Sequence, residues 1–158
     1  MSISTDVELT VITATTETET VNATAVDLIK IVENSANSTV GVTCQYTLSD
    51  STTTTKNYTI ASDNYTLLMS ANPSWATGKP ANEWRKEDVW FLITYMDAGA
   101  PALWVASTAY AANDVAYYGK NVYTCTTAGT SGTTAPTATS GTATDGTVTW
   151  TWKQSLGS

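Results

Sequence analysis

The feature that most constrains the fold is a strict alternation of apolar and polar residues over residues 40–48. Val40, Val42, Cys44, Tyr46 and Leu48 alternate with glycine, threonine and glutamine. Successive side chains of a β-strand point to opposite faces, so this pattern gives one apolar face and one polar face. It predicts a half-buried strand in an antiparallel sheet.

The composition favours β structure in the rest of the chain. Threonine, a β-branched residue that suits strands, occurs 33 times, and tryptophan and tyrosine together number 14, whereas phenylalanine occurs once. Residues 56–61 are predicted to form a partner strand. Residues 25–33 fit either a helical stripe or a strand, and the turn-forming residues 34–37 that follow favour the strand.

The middle of the chain is less regular. Residues 62–64 suit the N-cap of a short helical turn over residues 65–69, and a long polar loop with Trp75 and Trp84 follows. Residues 89–97 (VWFLITYMD) are apolar on both faces. They predict a strand that is buried on both sides, or one whose second side is a subunit interface.

The last third of the chain reads as a separate β module. Gly99 and Pro101 mark residues 99–103 as a linker. Turn signals at residues 119–120 and 145–146 then separate three predicted strands. The sequence thus predicts an all-β protein, with an antiparallel β-sandwich-like domain at residues 1–98 and a small three-stranded β module at residues 104–158.

Charge and residue types restrict the function. The net charge is −7 and the chain has no histidine, which argues against a basic nucleic-acid footprint, a Cys/His zinc site and histidine-based catalysis. Glu83, Glu87 and Asp88 fit a solvated loop face better than the paired carboxylates of a glycosidase. We therefore expect no enzyme activity, no cofactor, no metal and no nucleic-acid partner.

The two cysteines and the hydropathy add further expectations. Cys44 and Cys125 fall one in each predicted domain, and we expect two buried free thiols, with a disulfide as the alternative. No apolar run reaches 18 residues, so we expect no insertion into a membrane. Residues 1–10 lack the basic and apolar regions of a secretory signal, so no signal peptide is expected either.

The aromatic residues of the last third carry a resemblance to a known class. Trp104 and Tyr110 precede DVAYYGKNVYTC at residues 114–125 and, after a Thr/Gly/Ser-rich loop, DGTVTWTW at residues 145–152. This segment resembles the small chitin- or cellulose-binding-type modules of the carbohydrate-binding class, in the variant found on head and tail appendages of tailed bacteriophages. The matching residues are Trp104, Tyr110, Asp114, Val115, Tyr117, Gly119, Lys120, Tyr123, Cys125, Pro136, Asp145, Gly146 and Trp150, which span about a third of the chain.

The resemblance implies a structural virion protein, as a head fibre, capsid decoration or other appendage subunit that adheres weakly to the host surface. Its implied partners are other virion proteins of the capsid or tail, further copies of itself in a homotrimer, and a surface polysaccharide. Its implied location is the virion surface, after assembly in the host cytoplasm. The alternatives are a bacterial secreted polysaccharide-binding accessory protein, and a capsid-stabilising protein whose module has no sugar ligand.

Exposed aromatic side chains are the candidate sugar contacts, because the C–H face of a sugar ring stacks on a flat aromatic ring. Trp150 and Tyr123 are assigned to the core. For each candidate sugar contact, core or inter-domain packing is the alternative. The candidates are Trp104, Tyr110, Tyr118 and Trp152.

Three further tryptophans are candidates for an oligomer or particle interface. Trp75 and Trp84 lie on the long loop, and Trp90 lies in the apolar segment after it. Closure of their own core is the alternative for the two loop residues.

Overall fold

The computed structural model of the protein describes the backbone of residues 7–12 and 18–158, and the side chains of residues 22–158. The described residues form eleven strands and two α-helices, so the prediction of a β-rich protein is confirmed, although an all-β chain would lack the two helices. The elements in chain order are β1 (Val7–Ile12), β2 (Thr18–Asn34), β3 (Thr39–Leu48), β4 (Thr53–Ala61), α1 (Ser62–Met69), α2 (Lys86–Asp97), β5 (Ala102–Leu103), β6 (Ala109–Tyr110), β7 (Val115–Tyr118), β8 (Asn121–Thr127), β9 (Gly129–Thr130), β10 (Thr142–Asp145) and β11 (Val148–Ser155).

The chain divides into two compact units, an N-terminal unit of residues 1–67 with Ser158, and a C-terminal unit of residues 68–157. This division lies well before the predicted linker at residues 99–103. Residues 1–6 and 13–17 of the predicted N-terminal domain lie outside the described residues.

The N-terminal unit contains one antiparallel sheet among its described residues, with the strand order β1-β2-β3-β4. Along β3, half-buried and buried side chains alternate, and the buried ones are Val40, Val42, Cys44, Tyr46 and Leu48. The predicted strand, its apolar face and its partner strand β4 are therefore confirmed. A sandwich has two sheets packed face to face, whereas the described residues form a single sheet here.

Two predictions beside these strands are also confirmed. Residues 25–33 belong to β2 and not to a helix. The helical turn predicted over residues 65–69 lies in α1. The helix begins at Ser62, however, so residues 62–64 belong to it instead of capping it, and Asp63 lies in its first turn. A carboxylate at this position favours a helix, because the N-terminal N–H groups carry partial positive charge. Neither helix of the described residues is long and apolar enough to span a membrane.

The strand predicted at residues 89–97 is wrong, because helix α2 occupies this segment. Residues 88–93 of α2 are all buried, so the helix is apolar around much of its circumference, and such a run has no period that distinguishes a helix from a strand. The carboxylate of Asp88 accepts a hydrogen bond from the backbone N–H of Arg85 at 2.9 Å. This bond satisfies a donor at the first turn and fixes where the helix begins.

The predicted linker is in part a strand. The chain leaves α2 through Gly99, which has φ of 86° and whose N–H donates to the carbonyl oxygen of Met96 at 3.0 Å. Glycine adopts this left-handed conformation without the steric cost of a side chain. Leu103 of β5 then pairs in parallel with Tyr117 of β7. The segment thus joins α2 to the C-terminal sheet instead of separating two domains.

The C-terminal sheet has the strand order β10-β11-β8-β7-β5, and β6 pairs with β9 in a separate two-stranded ladder. The three strands predicted for the module occur as β7, β8 and β11. The predicted turns lie between β7 and β8 and between β10 and β11. The sheet nevertheless has five strands, because the short segments β5 and β10 extend it on both sides.

The two faces of the C-terminal sheet are covered differently. On one face, the ring of Tyr117 meets the rings of Phe91 and Tyr95 from α2 at centroid distances of 6.1 and 5.4 Å. On the other face, the hydroxyl of Tyr123 donates to carbonyl oxygens of the loop at residues 131–140, which therefore crosses that face. Helix α2 is thus part of the C-terminal unit, although the sequence analysis assigns it to the first domain.

Candidate functional site

Most of the apolar residues that carry the resemblance assemble into one core on the sheet face opposite to α2. The earlier assignment of Trp150 and Tyr123 to the core is confirmed. The buried members are Trp104, Ala116, Tyr123, Cys125, Val148 and Trp150, with Tyr110, Ala135, Ala138 and Trp152 packed against them.

A buried carboxylate lies within this core. Asp145 is 6% exposed, and its Oδ2 accepts hydrogen bonds from Nε1 of Trp104 at 2.9 Å and Nε1 of Trp150 at 3.3 Å. Its Oδ1 accepts a hydrogen bond from the backbone N–H of Gly132 at 2.7 Å. Three donors offset the cost of removing the charge from water. Asp145 therefore joins the two indoles to the loop.

Asp145 was predicted only as a turn residue, and the turn explains the glycine that follows it. Gly146 has φ of 63°, and a Cβ there would lie 2.7 Å from the nitrogen of Gly132. Both observations restrict this position to glycine. A signal for the buried carboxylate was also present, because buried tryptophans such as Trp104 and Trp150 need acceptors for their N–H groups.

Two of the four candidate sugar contacts are used mainly inside the module. Trp104 is 8% exposed, which leaves little of its ring for a ligand. Tyr110 is half-buried, its ring meets Trp150 edge-on at 4.8 Å, and its hydroxyl accepts a hydrogen bond from the backbone N–H of Val105 at 2.8 Å. Both side chains therefore have structural partners that account for them without a ligand.

The other two candidates lie on the same face of the sheet, on either side of β8. Tyr118 on β7 is 42% exposed and pairs with Asn121 on β8. Trp152 on β11 is half-buried, and its Nε1 donates to Oδ1 of Asn121 at 3.1 Å. We call Tyr118, Asn121 and Trp152 the aromatic row. It brings two rings and one amide together across three strands.

Next to the aromatic row, the ring of Tyr118 contacts Trp104 edge-on at 5.7 Å between centroids. Leu103 and Val105, which flank Trp104 in the chain, are 45% and 53% exposed. The end of the sheet that carries β5 therefore combines exposed apolar side chains with the partly exposed aromatic row.

A concave surface also lies beside the loop at residues 131–140. It has a volume of about 530 Å³ and is lined by residues 132–138 and 143–146. Its lining is mostly threonine and alanine, and the carboxylate of Asp145 is already occupied by its three donors. This groove presents hydroxyl and methyl groups without an aromatic ring.

The three tryptophans predicted for an interface occupy different environments. Trp75 is 8% exposed and stacks on Phe91 at 4.1 Å between centroids, so it closes its own core. Trp90 is 1% exposed and presents almost no surface to a partner. Trp84 is half-buried and lines a pocket of about 150 Å³ beside Lys79.

Two charged residues are buried near Trp84. Lys79 lies on the loop that carries Trp75 and Trp84, and Asp88 lies in α2. Nζ of Lys79 donates to the carbonyl oxygen of Ser70 at 2.9 Å, and burial lowers the pKa of its ammonium group. Asp88 is buried and accepts hydrogen bonds from Arg85 and Trp75. Both groups also line the pocket beside Trp84, but their hydrogen bonds within the protein account for their burial.

The described residues contain no group of three or more acidic, cysteine or histidine side chains that could hold a metal ion. Cys44 and Cys125 are both buried free thiols, as predicted. Burial raises the pKa of the Cys125 thiol, which keeps it in the unreactive protonated form.

No protein-family model matches this chain, and no curated protein matches its sequence.

Proposed function

We propose that the protein is a non-enzymatic structural subunit of a tailed bacteriophage particle, such as a head fibre, capsid decoration or other appendage subunit. In this proposal it is assembled in the host cytoplasm, is held on the virion surface by other virion proteins, and displays a carbohydrate-binding-like module. The resemblance of residues 104–152 supplies the link to phage appendages. It is supported by a single core that contains five of the matching residues, of which Trp104 and Trp150 donate hydrogen bonds to Asp145.

The observation that carries the adhesive role is the aromatic row. Adjacent strands lie about 4.8 Å apart, so the positions of Tyr118 on β7 and Trp152 on β11 are about 10 Å apart across the sheet. They are also offset along it, because Tyr118 pairs with Asn121 and Trp152 pairs with Tyr123. Two rings at about this spacing suit alternate sugar rings of an extended polysaccharide, and the amide NH₂ group of Asn121 suits a ring hydroxyl, since its Oδ1 already accepts from Trp152 and Ser155. Binding at one such shallow site would be weak, and many copies on a particle would supply avidity.

A specific observation also favours the second candidate, a capsid-stabilising module without a sugar ligand. Trp104 and Tyr110, two of the four candidate contacts, have internal partners. Under this alternative, removing residues 104–158 would lower the heat resistance of the particle and leave host adsorption unchanged.

A binding assay on insoluble chitin and cellulose separates the two roles. Tyr118→Ala removes an exposed ring, and we expect it to weaken binding at least about tenfold. Val32→Ala is the matched control, because Val32 is 51% exposed and lies on β2, outside the C-terminal unit. Circular dichroism on each variant confirms that the fold is intact. Equal binding by wild type, Tyr118→Ala and Trp152→Ala would contradict the adhesive role.

The particle assignment has its own test. Immunogold labelling with an antibody against residues 104–158 should mark purified virions at regular positions. Label on heads would identify a capsid fibre or decoration subunit, and label on tails would identify part of the adsorption apparatus. Unlabelled particles would leave a secreted polysaccharide-binding protein as the better explanation.

A further inference from the structure

β4 is a long outer strand of the N-terminal sheet. It pairs with β3 along nine residues, and no other strand among the described residues pairs with its opposite side. An outer strand presents backbone N–H and C=O groups that can pair with another chain. The outer strands of the C-terminal sheet, β5 and β10, have only two and four residues, and short length limits such pairing.

The hairpin between β3 and β4 identifies which backbone groups of β4 point outward. The N–H of Leu48 donates to the carbonyl oxygen of Thr52 at 2.8 Å. Hydrogen-bonded and non-hydrogen-bonded pairs alternate along an antiparallel ladder, and the register of β3 with β4 is continuous, without a bulge. The residues whose N–H and C=O groups point away from β3 are therefore Thr53, Thr55, Asn57, Thr59 and Ala61.

Asn57 is the middle residue of β4 and one of these five. If a second β4 runs antiparallel to the first about a two-fold axis at Asn57, the two Asn57 residues face each other. Thr55 then faces Thr59 of the second copy, and Thr53 faces Ala61. Every outward N–H and C=O group of both strands gains a partner, which gives about ten hydrogen bonds between the strands.

The side chains suit this register. Lys56 of one copy would lie opposite Tyr58 of the other, and within one copy the Nζ of Lys56 already lies 4.5 Å from the centroid of its own Tyr58 ring. An ammonium group is attracted to the face of a tyrosine ring. β4 contains no Asp or Glu, although the chain has a net charge of −7. Like charges that face each other directly would be destabilising, and none do so in this register.

We propose that two copies of the protein associate through β4, so that their N-terminal sheets join into one continuous antiparallel sheet about a two-fold axis at Asn57. The proposal does not depend on the proposed function. It favours a dimer over the homotrimer that the resemblance implies.

Disulfide formation in the full-length protein tests the register. Two residues that face each other in a hydrogen-bonded antiparallel pair have Cα atoms about 5.5 Å apart, which a disulfide can span. Asn57→Cys should therefore give a covalent dimer on mild oxidation. Thr53→Cys is the matched control and should not form a covalent dimer, because residue 53 faces Ala61 of the second copy. Thr53→Cys combined with Ala61→Cys should cross-link the two copies again. Cys44 and Cys125 are buried and do not compete in the folded protein.

Analytical ultracentrifugation tests the association itself. Thr55→Pro removes one outward N–H and leaves the bonds to β3 in place, so we expect it to raise the dimer dissociation constant at least tenfold. Thr55→Val keeps the N–H and should dimerise as wild type does. A monomer at all concentrations, a trimer, or equal cross-linking of Thr53→Cys and Asn57→Cys would each overturn the proposal. If Thr55→Pro fails to fold, the cysteine variants decide alone.

Discussion

Asp145 places a charge in the middle of an apolar core, where two indole N–H groups and one backbone N–H surround it. A buried carboxylate is tolerated only when donors replace the lost water, so the three contacts depend on one another. The same residue ends β10 and precedes the turn at Gly146. Turn formation and core formation are thus coupled at one position.

Asp145→Asn is expected to lower the free energy of unfolding by about 2–3 kcal/mol. An amide has one acceptor oxygen, and its NH₂ group would face an existing N–H donor. Chemical denaturation followed by tryptophan fluorescence measures the loss. Asp114→Asn is the control, because the exposed carboxylate of Asp114 accepts one hydrogen bond, from the backbone N–H of Ala111. Equal losses in the two variants would contradict the central role of Asp145.

Tyr123→Phe should lower the free energy of unfolding by about 1–2 kcal/mol at neutral pH. It removes the hydroxyl that donates hydrogen bonds to the carbonyl oxygens of Pro136 and Ala138. Burial raises the pKa of this hydroxyl. The folded state therefore retains the proton that the unfolded state releases above about pH 10, and wild type loses stability as the pH rises through this range.

The phenylalanine variant has no hydroxyl to titrate. The difference in free energy of unfolding between it and wild type should therefore shrink above about pH 10. Urea denaturation of both proteins at several alkaline pH values measures this difference. A deficit that stays constant across these pH values would show that the hydroxyl does not titrate differently in the two states.

At the scale of elements, the start of α2 depends on Asp88. Its carboxylate accepts hydrogen bonds from the backbone N–H of Arg85 and from Nε and Nη2 of the same residue, at 2.9 to 3.0 Å. Arg85 is 59% exposed, so the ion pair by itself contributes about 1 kcal/mol or less. The larger effect is the satisfied N–H at the first turn of the helix.

Asp88→Ala should therefore lower the free energy of unfolding by about 2 kcal/mol near neutral pH. Burial opposes the charged form of Asp88, but the hydrogen bonds from Arg85 outweigh it and hold the pKa below its ordinary value. Stability from this group is then complete above about pH 4 and lost as the pH falls further.

The difference in stability between wild type and Asp88→Ala should accordingly become smaller in acid. Thermal unfolding of both proteins from about pH 7 to pH 2 measures this difference. Glu87→Ala is the matched control, since Glu87 lies in the same helical turn and is exposed. A deficit of the same size in the control would mean that charge near the helix terminus, and not the buried contacts, sets the stability.

The elements that could be predicted from the sequence are those with a clear period or turn signal. β3 alternates over its full length, and the glycines at residues 119 and 146 mark real turns. Residues 89–97 have no such period, so α2 could not be distinguished from a strand. β5 has two residues and depends on pairing with β7, which no local pattern indicates.

The candidate site was only partly predictable for a related reason. Alternation along β11 assigns Trp150 and Trp152 to the same face, but it does not say which part of that face the loop covers. In the structure Trp150 is fully buried and Trp152 is half-buried. The exposure of Tyr118 likewise depends on tertiary packing that the sequence pattern leaves open.

At the scale of the whole molecule, the division between residues 67 and 68 changes which part of the chain can be isolated. Tyr117 and Val122 pair across β7 and β8 on the face that α2 covers, and both are buried. Exposing two such side chains costs about 1.5–3 kcal/mol each. This loss is a large fraction of the 5–15 kcal/mol that is typical of a domain.

We therefore expect a fragment of residues 68–158 to fold, and a fragment of residues 104–158 to be largely unfolded. The shorter fragment follows the boundary that the sequence suggests, and the longer one keeps α2. Amide dispersion in NMR spectra of the two fragments measures the difference. A well-dispersed spectrum from the shorter fragment would show that α2 is dispensable for the sheet.

The loop at residues 131–140 also makes the C-terminal unit a practical display scaffold. Asp145 holds the loop at Gly132, Tyr123 holds it at Pro136 and Ala138, and the carbonyl oxygen of Gly141 accepts the N–H of Trp152 at 2.8 Å. Residues 139 and 140 lie between these anchors and are exposed. A foreign peptide grafted there would start and end at fixed points, so its length and sequence could be varied without redesigning the module beneath it.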